Sequence, residues 1–128
     1  MEDCRDIRNS LIGLLHSVEG AYADVIARAE IARNYAVCLV NARQAHEDAR
    51  NAVLVQYFAD PKALGGNEAT REAMIDGLTD ATRTALRDAE RDADDAKHAL
   101  DIAWLKLDAA KTTLRVYESV AMLAAREK

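Results

Sequence analysis

Residues 86–124 read LRDAERDADDAKHALDIAWLKLDAAKTTLRVYESVAMLA. Leu86, Ala93, Leu100, Leu107, Leu114 and Ala121 recur every seven residues, and between them Ala89, Ala96, Ala103, Ala110, Tyr117 and Ala124 do the same. Two interleaved sevens are the a/d seam of a long helix that pairs with another helix. The first half carries Cys4, Leu11, Val18, Val25, Ala32, Leu39, His46 and Val53 at the same interval. A second stripe drifts from Ile7, Leu14 and Ala21 to Tyr22, Ala29 and Ala36, the period of a straighter helix. Valine and isoleucine are scattered without alternation, so no strand is expected.

The breaks lie between these patterns. Pro61 disfavours helical geometry at Asp60, and Gly65-Gly66 makes a turn. Asn67 suits an N-cap, with Glu68 in the first turn after it. Gly77, Thr79 and Asp80 mark a stop and a fresh start. The expected order is a helix over 3–58 entered through Asp3 or Asp6, a turn over 59–67, a short helix over 68–77 and a long helix over 80–126. The fold class is all-α: a long antiparallel, coiled-coil-like helical hairpin with a short helix at its turn, in one domain over 1–128. Half of the 128 residues are hydrophobic, but aromatics are only 5%. An alanine seam removes little apolar area from water per residue. Leu15, Leu39, Val40, Trp104 and Val120 flank it. A homo-oligomer is therefore expected, most simply a two-fold dimer forming a four-helix bundle.

Composition excludes several functions. The net charge of −5 and a pI near 5.2 oppose broad nucleic-acid binding. No run of about 18 apolar residues spans a membrane. MEDCRDIRNS has no basic segment followed by an apolar one, so no secretory signal is expected. Cys4 and Cys38 would lie about 50 Å apart on one helix and could not pair there. Two free thiols suit a reducing cytoplasm.

Catalytic patterns are missing. Asp95-x-x-His98 imitates the Glu-x-x-His pair of di-iron bundles, which need two such motifs and two more carboxylates. The first half offers only His46-Glu47-Asp48, at the wrong spacing. No metal site and no cofactor are expected. Neither cysteine stands by a histidine or basic cluster, and no nucleophile elbow or phosphate loop is present. The chain is not expected to be an enzyme. His46 falls on the apolar stripe, where a hydrogen-bonded seam histidine is the expectation.

Two surfaces are candidates for function. At the turn, Lys62, Gly65, Gly66, Asn67 and Arg71 place backbone N–H groups and cationic side chains at a helix start, an arrangement that attracts anions such as a nucleotide. The same residues also serve a bare turn, with Asn67 as cap and Arg71 paired to Glu68 or Asp60. On the long helix, Asp88, Glu90, Asp92, Asp94 and Asp95 form an acidic stretch, and Trp104 beside the seam is of the type that anchors interfaces.

Residues Leu64-Gly65-Gly66-Asn67-Glu68-Ala69-Thr70-Arg71, followed by a long heptad helix, resemble a group of small phage and prophage helical proteins with a Gly-Asn-Glu-x-x-Arg element between two long helices. The likeness covers roughly residues 60–125, with its specific part in those eight. It implies a bacterial cytoplasmic setting on a phage or mobile element and carries no activity with it. The function expected is non-enzymatic: binding a host protein, for instance a defence or replication component with a basic site. The alternative is an oligomer that sequesters an anionic nucleotide at the turn.

Overall fold

The computed structural model describes residues 4–127, and these contain helices and no strand. Helix α1 runs Cys4–Gln56, a 3-10 turn Pro61–Leu64, helix α2 Glu68–Leu78 and helix α3 Asp80–Arg126. α1 packs on α3, the pairing of a helical hairpin. Asp3, one of the two expected helix starts, lies outside the described residues; Asp6 sits in the first turn of α1.

α1 ends at Gln56 rather than 58 because Tyr57 and Phe58 have left the regular helix. Phe58 N–H bonds the Val55 carbonyl and Asp60 N–H the Tyr57 carbonyl, contacts that tighten the last turn. α2 continues one residue past Gly77. Thr79 then closes it: its N–H and its hydroxyl both donate to the Ile75 carbonyl, at 3.0 and 2.8 Å. α3 begins at the next residue, and the Thr79 carbonyl accepts from Arg83 N–H. A threonine that serves both helices is buried, 3% exposed, with its hydroxyl satisfied.

The chain divides into two compact units, one of residues 1–32 with 96–128 and the other of residues 33–95. In the first, Val25 of α1 packs with Ala103 and Leu107 of α3, and Val18, Ala21 and Leu100 surround them. Ala96 is also buried. This core is small because the seam is built largely of alanine. In the second unit, Leu64 and Ile75 are buried beneath the turn.

On α3 every expected seam position from Leu86 to Ala121 is buried or half-buried, and only Ala124 is exposed. On α1, Leu11 through Val53 at sevens are likewise turned inward, whereas Cys4 is exposed. The expected drift is limited to one position. Ala29 is half-buried, but Tyr22 and Ala36 face solvent, and the inward stripe resumes at Ala42 and Ala49. Gly13 and Gly20 continue the helix, and a Cβ built on either meets nothing within 4 Å. A side chain would fit at either position, so no neighbouring element requires glycine there. Of the five flanking residues, Leu15, Val40, Trp104 and Val120 are 46–61% exposed, while Leu39 is half-buried.

Candidate functional site at the turn

In the unit of residues 33–95, the turn is built by local chemistry. Pro61 opens the 3-10 turn, and Gly65 N–H returns to the Lys62 carbonyl at 3.1 Å. Gly65 then adopts φ 149° and ψ 164°, a region essentially restricted to glycine. A Cβ there would stand 2.6 Å from Thr70 Cγ2. Asn67 caps α2: its Oδ1 accepts from Thr70 N–H at 2.8 Å and from the Thr70 hydroxyl at 2.9 Å. The asparagine oxygen that could have met a ligand is therefore engaged in the cap.

Behind this turn lies an open pocket of about 370 Å3. Leu54, Tyr57, Phe58, Pro61, Leu64 and Ile75 supply its apolar wall, with Glu68, Arg71 and Glu72 as its charged groups. Its size falls in the range of small-ligand pockets. Of the five turn residues expected to act together, only Arg71 lines it. Lys62, Gly66 and Asn67 are exposed, and Gly65 is half-buried, all outside the wall. Arg71 pairs with neither Glu68 nor Asp60, and its Nε is buried without a hydrogen-bond partner.

Two other carboxylates of α2 are engaged by an arginine of α1. Glu72 and Asp76, four residues apart on one face of α2, both accept from Arg50 of α1. Each bond is 2.9 Å, one from each terminal nitrogen of the guanidinium. Hydrogen bonding to Glu72, aided by Asp76 and their charges, raises the Arg50 pKa above its ordinary value against the opposing effect of burial. This clamp fixes the short helix on α1. The sequence reading missed it. An acid pair at i,i+4 was visible, but nothing local marks which arginine of α1 faces it.

One turn earlier, His46 Nδ1 lies 3.0 Å from the Thr82 hydroxyl. Thr82 has a single hydroxyl proton, and it donates to the Thr79 carbonyl at 3.0 Å. With that proton on the Thr79 carbonyl, the hydroxyl accepts from a protonated His46 Nδ1. His46 is the hydrogen-bonded seam histidine expected from its position.

Elsewhere on α3, Asp88, Glu90, Asp94 and Asp95 are exposed and Asp92 is half-buried. Asp88 is paired with Arg91 at 3.3 Å. Trp104 is 46% exposed. Among the described residues, no three His, Cys, Asp or Glu side chains converge as a metal site would require. Cys4 and Cys38 are exposed free thiols, and among the described residues no helix is long and apolar enough to cross a membrane. Compared with known protein families, curated proteins and solved structures, the chain matches none.

Proposed function

We propose that this chain is a non-enzymatic interaction protein that acts by binding another protein, and that it does so as a homo-oligomer. The observation that carries the reading is the imbalance of its apolar side chains. Among the described residues six hydrophobic side chains are buried, while twenty large ones are exposed. Scattered exposed leucines need no explanation, but apolar faces repeated along a helix mark interaction surfaces. The setting we propose is a bacterial or phage cytoplasm, supported by the likeness of residues 64–71 to small phage helical proteins.

The partner surface proposed is the acidic stretch Asp88, Glu90, Asp92, Asp94 and Asp95. Such a stretch can occupy a basic site on a host defence or replication protein, where charge complementarity steers encounter. The test compares capture from bacterial lysate by the wild type and by a variant with Glu90→Gln, Asp94→Asn and Asp95→Asn. A partner retained by the wild type and lost from the variant supports the reading. Identical capture by both defeats the acidic surface as its basis.

A second reading rests on Arg71. An unpartnered guanidinium nitrogen beside an apolar pocket suits a small anion with a flat or aliphatic body. This narrows the nucleotide alternative from five turn residues to one, and the neighbouring Glu68 opposes it. A rise in melting temperature with nucleotide that disappears in Arg71→Ala would support it by mass action.

A further inference from the structure

We infer that the outward face of α3 is the surface on which a second copy of this chain docks, antiparallel, α3 against α3. This rests on the self-association proposed above and says where it occurs. Ile102, Leu105, Val116, Val120 and Leu123 are 39, 68, 58, 57 and 60% exposed. At about 100° per residue they fall on one side of the helix, about 140° around from the seam. Ala109 completes the stripe between Leu105 and Val116. α3 is thus apolar on two faces, and its pairing with α1 covers only one of them.

Charge selects the occupant and its direction. Along one edge of the stripe, Asp101 and Asp108 flank the N-terminal half, and Arg115 and Arg126 the C-terminal half. All four are exposed, and none takes part in an ion pair among the described residues. In a parallel two-fold pair this edge would lie against the opposite edge of its partner, so its acidic and basic halves could not meet each other. Antiparallel, about a centre near residue 112, each acidic half meets a basic half, as flanking charges do in paired helices. A stripe whose edge is complementary to its own reverse fits a two-fold partner.

The exposed area agrees. The chain leaves 9367 Å2 accessible, whereas a compact monomer of its mass leaves about 6,700 Å2. A standard interface buries about 800 Å2 per partner, so a chain with this accessible area has surface to spare for one.

Light scattering of the pure full-length protein at tens of micromolar should give twice 14.1 kDa. Val116→Asp, placed at the middle of the exposed stripe and away from the seam, should return it to the single-chain mass with its helical circular dichroism unchanged. With Cys4 and Cys38 replaced by serine, Leu105→Cys mixed with Val120→Cys should form a disulfide-linked dimer on oxidation, and Leu105→Cys alone should not. A wild type of single-chain mass removes the self-association itself. A dimer that survives Val116→Asp, or Leu105→Cys linking to itself, leaves self-association standing and overturns this face or this direction.

Discussion

Leu107 has no exposed surface, and it touches the two other buried residues of its cluster, Val25 and Ala103. Leu107→Ala should therefore destabilise by about 2–5 kcal/mol, read as a lower urea midpoint, because the small neighbours cannot collapse into the space. Leu105, two residues earlier and 68% exposed, should lose far less on the same truncation in a dilute sample. At the turn, Asn67→Ala removes the acceptor for two Thr70 donors and should cost about 0.5–2 kcal/mol. Arg71→Ala breaks no ion pair and no hydrogen bond of its side chain, so thermal melting without added anion should barely move. A large loss in Arg71→Ala would contradict the geometry described for its guanidinium.

At the scale of the element, α2 is a short helix held by a cap, a glycine turn and one arginine. Gly65→Ala combines a backbone region closed to alanine with a Cβ 2.6 Å from Thr70 Cγ2; it should cost about 1–3 kcal/mol. Arg50→Met should cost roughly 1 kcal/mol, since its carboxylate partners are 55% and 42% exposed and screened by solvent. The deficit should shrink in high salt. The pKa of Arg50 is raised on folding, so the guanidinium's stabilisation is fully present through neutral and mildly alkaline pH and is lost only in strong base. The difference between wild type and Arg50→Met should accordingly stay level from pH 7 to 10. The helices themselves were legible. Heptads at Leu86–Ala121 and Pro61 with Gly65 located α3 and the turn, and Asn67 announced its cap. The Arg50 clamp and the pocket were not legible, because they join residues more than twenty apart in the chain through side-chain directions that no period encodes. The stripe from Ile102 to Leu123 shows why burial is harder to read than helicity. Its spacing resembles that of a core face, and only the placement of α1 decides which of two apolar faces is covered.

For the whole molecule, α1 and α3 of one chain pair as a hairpin through a narrow alanine and leucine seam, and among the described residues twenty large hydrophobic side chains stay exposed. The net charge of −5 makes like copies repel at long range, an effect that salt screens. The pairing is most directly tested where His46 meets Thr82 at 3.0 Å. In a chain with Cys4→Ser, Cys38→Ser, His46→Cys and Thr82→Cys, a short bis-maleimide added to a dilute sample should link the two new thiols. The expected product is a cross-link within one chain, found by peptide mass mapping, still at the single-chain mass. Cross-links found only between chains, or none at all with both thiols reactive, would contradict the pairing.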